Sequence, residues 1–74
     1  MAKFFAETVT ITKVKAFVIV ARDELQAQRI LIDHLIDCGV YGVNLRFFIS
    51  QVSEDFYNLM LTRSTSLKPK ARKA

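Results

Sequence analysis

The sequence predicts a small α+β domain: an antiparallel sheet in ββαββ order with one helix packed on one face. Three observations indicate this class. Two adjacent segments have strand patterns, a capped amphipathic segment follows them, and two further alternating segments come after it. Because one helix covers only one side of such a sheet, apolar residues are expected on the uncovered side.

The first two elements are predicted strands. Residues 4–12 include Thr8, Ile11 and other β-branched residues in alternation, which is typical of a strand with one solvated face. Val14–Ala21 is almost wholly apolar, as in an interior strand. The apolar positions change from odd to even numbers near Thr12, which indicates either a tight turn or a bulge.

A helix is predicted over residues 24–38. Asp23 is a suitable N-cap, Gln26 completes a capping box, and Gly39 can end the helix in the left-handed conformation. Ile30 falls among the polar residues of the helical wheel. The half of the wheel expected to face the sheet contains Leu25, Ala27, Leu31, Ile32, Leu35, Ile36 and Cys38.

Two more strands are expected in the second half of the domain. Residues 43–50 alternate apolar and polar side chains, and residues 56–63 do so again. For the last segment a helix is the alternative, with Ser53 as its N-cap. That helix would have one face formed by Phe56, Leu59, Met60 and Arg63.

Charge divides the chain into a nearly neutral domain and a basic tail. Residues 1–62 contain six basic and seven acidic side chains, a formal charge of −1, whereas residues 63–74 contain five basic and none acidic, +5. Leu67 is the only sizeable apolar side chain of residues 64–74, so this segment is expected to be a disordered tail after a single domain of residues 1–63. Such a tail either attracts polyanions or only aids solubility.

Membrane insertion and secretion are not expected. The longest apolar run, residues 16–21, is far shorter than the roughly 20 residues that span a bilayer, and the first residues lack the apolar stretch of a signal peptide. Cys38 is the only cysteine and cannot form an internal disulfide, which favours the cytoplasm.

No catalytic site, cofactor, metal site or small-molecule substrate is expected. His34 and Cys38 lie one helical turn apart, but zinc needs three or four ligands, and Asp33 and Asp37 fall on other sides of the wheel. A Cys–His catalytic pair also needs a group that orients the imidazole and a site for the oxyanion, and neither is evident.

Two surfaces are candidates for binding. A protein partner is expected on the helix face formed by Arg29, Ile30, Asp33 and Asp37. Nucleic acid is the alternative ligand, with aromatic side chains of one sheet face stacking on bases and the tail contacting phosphates. The residues of this second surface are Lys15, Phe17, Arg46, Phe48, Arg63, Lys68, Lys70, Arg72 and Lys73.

A homodimer through the open sheet face or edge is also expected, and it would cover the aromatic residues. In size and predicted element order the chain resembles the short accessory and inhibitor proteins encoded by phages and other mobile elements. That resemblance covers no motif and assigns no residue role. It implies a non-catalytic module that occupies a surface of a larger protein or nucleoprotein complex, with direct nucleic-acid binding as the alternative.

Overall fold

The computed structural model describes residues 1–42 and 44–69, which form one mixed sheet and two helices. The sheet order is β3-β1-β2-β4; β1 pairs antiparallel with β2 and β3, whereas β4 runs parallel to β2. The α+β class is confirmed, but the antiparallel sheet with one helix is wrong in detail. The elements are β1 (Ala2–Val9), β2 (Val14–Ala21), α1 (Glu24–Asp37), β3 (Arg46–Val52), α2 (Glu54–Met60) and β4 (Thr65–Leu67).

A four-residue loop joins β1 to β2. Pairing is continuous to Val9 and Val14, so no bulge interrupts the hairpin. The Thr10 N–H donates to the Lys13 carbonyl over 2.8 Å, and the Lys13 N–H donates to Thr10 Oγ1 over 3.1 Å. The loop has an even number of residues, so the positions that share one face of the sheet change parity between the strands. Odd positions of β1 and even positions of β2 share the face turned away from α1, whereas even positions of β1 and odd positions of β2 face α1. This accounts for the shift of apolar positions near Thr12, although β1 ends earlier than predicted.

Side-chain caps fix the start of α1. Asp23 Oδ1 accepts from the Gln26 N–H over 2.8 Å, which confirms the predicted N-cap. Gln26 Oε1 accepts from the N–H of Arg22 over 2.6 Å, one residue before the N-cap. The side chain therefore reaches back as in a capping box but satisfies a different donor.

A Schellman motif ends α1. Gly39 has a φ of 74°, as expected of the glycine that ends a helix. Its N–H donates to the Ile36 carbonyl over 2.9 Å, and the Val40 N–H donates to the Leu35 carbonyl over 3.0 Å. These two bonds turn the chain back toward the sheet.

The main core lies between α1 and one face of the sheet. Its helix side is formed by Ala27, Leu31 and Leu35, each at most 2% exposed. The wheel placed the buried half differently: Leu25 and Ile36, predicted inside, are 61% and 54% exposed. Because apolar residues surround most of the helix, periodicity alone could not select the side. The sheet side of this core includes Phe4, Ala6, Phe17, Ile19, Ala21 and Leu67.

The second face of the sheet is partly covered by α2. The prediction of a strand over residues 56–63 is wrong, and the alternative helix forms instead. Ser53 Oγ accepts from the Phe56 N–H over 3.2 Å as its N-cap. The ring of Phe56 meets that of Phe5 edge to face at 5.4 Å, and Tyr57 is 7% exposed. Lys3 Nζ lies 5.1 Å from the Tyr57 ring centroid.

The short strand β4 lies within the segment predicted to be disordered. It pairs with β2 from Phe17 to Ile19, and Leu67 is 9% exposed in the core cluster. One anchoring leucine thus orders residues 65–67, which corrects the start of the predicted tail. Lys70, Arg72 and Lys73 lie outside the described residues, as does Val43 of the predicted third strand.

Neither helix within the described residues is long and apolar enough to cross a membrane.

Candidate functional site

The sheet separates the aromatic residues that were predicted to share one nucleic-acid-binding face. Phe17 pairs with Ala6, which pairs on its other side with Ile49, so these three side chains point toward α1. Phe48 is the next residue of β3 and points to the opposite face. Phe17 is also 1% exposed and packs edge to face on His34 at 5.4 Å. The prediction of a joint stacking platform is therefore wrong, because a buried ring cannot stack on a base.

Arg46 and Phe48 lie instead on β3, at one edge of the sheet. Phe48 is 63% exposed on the face that α2 only partly covers. β3 is seven residues long and contains Arg46 as its single charged residue, and among residues 1–42 and 44–69 it pairs only with β1. Its outer edge presents backbone donors and acceptors that pair readily with another strand.

The structure brings together two of the predicted basic residues at the opposite edge of the sheet. Lys15 and Arg63 both line an open groove of about 450 Å³ beside the start of β4. Lys68 follows the far end of β4 and is not among the lining residues. Thus Lys15 and Arg63 form one cluster, while Phe17, Arg46 and Phe48 do not belong to it.

His34 and Cys38 are adjacent and both line a small cavity between α1 and the hairpin. Cys38 Sγ lies 3.6 Å from His34 Nε2, and the cavity of about 90 Å³ is also lined by Thr8, Lys15 and Phe17. Cys38, expected in the core, is exposed. Residues 1–42 and 44–69 hold no group of three side chains suited to a metal ion.

The predicted partner-binding residues of α1 divide into an exposed and a half-buried group. Arg29, Asp33 and Asp37 are exposed, whereas Ile30 is half-buried and packs against the core cluster. Ile30 is therefore a core-boundary residue and not the apolar contact point that the wheel indicated.

Three other apolar residues of α1 lie on its solvent-exposed side. Leu25 and Ile36 are 61% and 54% exposed, and Ile32 between them is half-buried. At 100° per residue these three lie within about 40° of one another, and their centre is about 120° around the helix from Leu31. We call Leu25, Ile32 and Ile36 the outer stripe. The helical periodicity of these apolar residues is visible in the sequence, but the sequence analysis assigned all three to the side that faces the sheet.

Charged residues flank the outer stripe. Arg29 lies on the same side of α1, and Asp33 lies next to it. Within the described part of the chain the ion pair found is Arg22–Asp23, at 3.4 Å, so neither Arg29 nor Asp33 is engaged in one there. An exposed apolar stripe beside a separate core-facing side is a candidate contact surface.

One titratable group on this helix has a clear shift. The Gln26 N–H hydrogen bond is the main cause that lowers the pKa of the Asp23 carboxyl from its usual 3.8, and Arg22 lowers it further. Partial desolvation opposes these effects. Asp23 is accordingly a cap that stabilises the helix best when ionised.

Comparison of the chain with protein-family models, with curated proteins and with solved structures finds no match. Function is therefore inferred from the geometry alone.

Proposed function

We propose that this protein is a non-catalytic binding module that occupies a surface of a larger protein or nucleoprotein complex. The contact would be made by the outer face of α1, which is formed by the outer stripe with Arg29 and Asp33. The observation that carries the proposal is the outer stripe. Leu25 and Ile36 remain more than half exposed although a separate set of apolar residues on the same helix forms the core. The presence of a single cysteine supports the cytoplasm as the site of action.

The chemistry of the outer face defines the partner that it fits. Apolar residues at positions 25, 32 and 36 match the spacing by which an amphipathic helix lies in an apolar groove. Arg29 and Asp33 would lie at the rim of that groove. We therefore expect a shallow apolar groove on the partner, with an acidic group positioned for Arg29 and a basic group for Asp33.

Comparative capture from a lysate of the source cell tests this proposal. The baits are the wild-type protein, Leu25→Lys with Ile36→Lys, and a control, Leu59→Lys. Leu59 is 59% exposed on α2 and thus matches Leu25 in exposure. A partner retained by the wild type and the control but lost from the double variant supports the proposal. Equal recovery with all three baits contradicts it.

A homodimer is a second proposal, supported by the open edge of β3. Antiparallel pairing of β3 with β3 of a second copy would form a continuous sheet of eight strands. The backbone donors and acceptors on the β3 edge of each copy would then be hydrogen-bonded. Opposed residues then point to the same face, so the half-buried Phe47 and Ile49 of the two copies would cover one another. The outer stripe of each copy would remain accessible, so dimerisation is compatible with binding of a larger partner.

Direct nucleic-acid binding remains an alternative supported by fewer of its predicted residues. Burial of Phe17 removes one stacking ring, and Phe48 lies on the other face from Lys15. This alternative is supported by the presence of Lys15 and Arg63 in one groove. A basic groove favours phosphates without reading bases.

A further inference from the structure

The groove at the start of β4 has the composition of an anion site. Besides Lys15 and Arg63 it is lined by the hydroxyl residues Thr62, Ser64 and Thr65. No acidic residue lines it within the described part of the chain. Two cations and three hydroxyls around an open groove provide charge-assisted and neutral donors for an oxyanion.

The pairing of β4 leaves part of β2 open at this groove. β4 begins opposite Phe17, so residues 14–16 of β2 have no β4 partner, and all three line the groove. Successive residues of a strand direct their N–H groups to alternate sides. At least one of residues 14–16 therefore points its main-chain N–H toward the groove and adds a further donor.

A buried hydroxyl provides a second, independent observation. Ser64 Oγ is buried and has no hydrogen-bond partner within the described residues. Leaving such a group unpaired is unfavourable, and Ser64 is one of the residues that line the groove. An anion in the groove would give this hydroxyl an acceptor.

We propose that Lys15, Arg63 and Ser64 form a binding site for a phosphate group. This site is separate from the outer face of α1 and does not depend on the protein-binding proposal. The phosphate could belong to free phosphate, a small phosphorylated molecule or a nucleic-acid backbone, all of which present the same oxygens.

Titration of the ¹⁵N-labelled full chain with inorganic phosphate, followed by NMR, tests the site. The variants are Arg63→Gln and Lys15→Gln, and the matched control is Lys13→Gln, an exposed lysine of the β1–β2 loop that does not line the groove. Saturable shifts in residues 14–16 and 62–65 are expected. Loss of one charge-assisted contact should weaken binding about tenfold in either groove variant, with no change in the control. Equal weakening in the control, or shifts confined to residues 68–74, would overturn the site.

Ser64→Ala separates a ligand role from a structural one. Because its hydroxyl has no partner in the folded protein, the variant should melt at or above the wild-type temperature and bind phosphate several-fold more weakly. Unchanged affinity, or a clear loss of stability, would remove Ser64 from the site.

A second arm identifies the source of the phosphate. A short single-stranded oligonucleotide replaces inorganic phosphate in the same titrations. Tighter binding that depends on Lys15 and Arg63 assigns a nucleic-acid backbone, whereas binding that does not depend on them assigns the site to free phosphate or a small phosphorylated molecule.

Discussion

Alanine substitutions on the two sides of α1 should have very different effects on stability. Leu31 is fully buried, and deletion of such a side chain costs about 2–5 kcal/mol through lost burial and a residual cavity. Leu25 is 61% exposed, and its removal should cost roughly 0–1 kcal/mol, since surface substitutions are mostly near-neutral. At about 0.05–0.15 kcal/mol per residue the whole domain has roughly 4–11 kcal/mol, so Leu31→Ala should remove a large part of it.

Urea unfolding followed by circular dichroism measures this difference. With similar m-values, the midpoint of Leu31→Ala should fall well below that of the wild type, while Leu25→Ala and Ile36→Ala stay close to it. A loss for Leu25→Ala equal to that for Leu31→Ala would show that α1 packs with a different side on the sheet. The outer stripe would then be part of the core, and the proposed binding surface would not exist.

Three further predictions concern the sheet edge and the helix caps. Phe48→Lys should convert the dimer to a monomer in light scattering, whereas the control Leu59→Lys should remain a dimer. A wild-type protein that is monomeric at high concentration would contradict pairing through β3. Ser53→Ala removes the N-cap of α2 and should lower the unfolding free energy in urea by about 1 kcal/mol, and no loss would show that tertiary packing alone holds this helix. Because the pKa of Asp23 is lower in the folded chain, the contribution of its carboxylate to stability is present above about pH 4 and is lost below it. The melting temperature of the wild type should therefore fall more than that of Asp23→Asn between about pH 5 and 3. Parallel pH profiles of the two proteins would contradict this.

Local signals predicted much of the first half of the fold. The bounds of β2 follow from its apolar run, and both ends of α1 follow from Asp23 and Gly39, because caps and glycine conformation act within a few residues. The sequence could not decide between a turn and a bulge after β1. The loop is held by hydrogen bonds between Thr10 and Lys13, and it contains neither the glycine nor the asparagine that would mark a turn in the sequence.

The second half depended on tertiary contacts. Tyr57, Leu59 and Leu61 alternate like a strand, but only Tyr57 is buried, and α2 is held by its Ser53 cap and by packing on β1. β4 has three residues, and it becomes a strand because Leu67 reaches the core beside Ile19. Neither result is visible in local periodicity.

The sequence placed a predicted binding surface on α1, and the structure changes which apolar residues lie on the exposed side of that helix. Arg29 and Asp33 are exposed as predicted, yet Ile30 packs inward while Leu25 and Ile36 point outward. The wheel identifies an apolar side, but it cannot choose between two when a helix has both. The groove of Lys15 and Arg63 joins residues 48 positions apart and required the parallel pairing of β4.

Site-specific photocrosslinking in the source cell tests the central claim most directly. A photoreactive amino acid replaces Ile36 on the outer stripe in one variant and Leu59 on α2 in the other. Binding by the outer face of α1 predicts a crosslink from position 36 to one larger protein, a reduction of that crosslink by Leu25→Lys in the same chain, and no such product from position 59. A product only from position 59, or from position 36 only to a second copy of this chain, would contradict the claim.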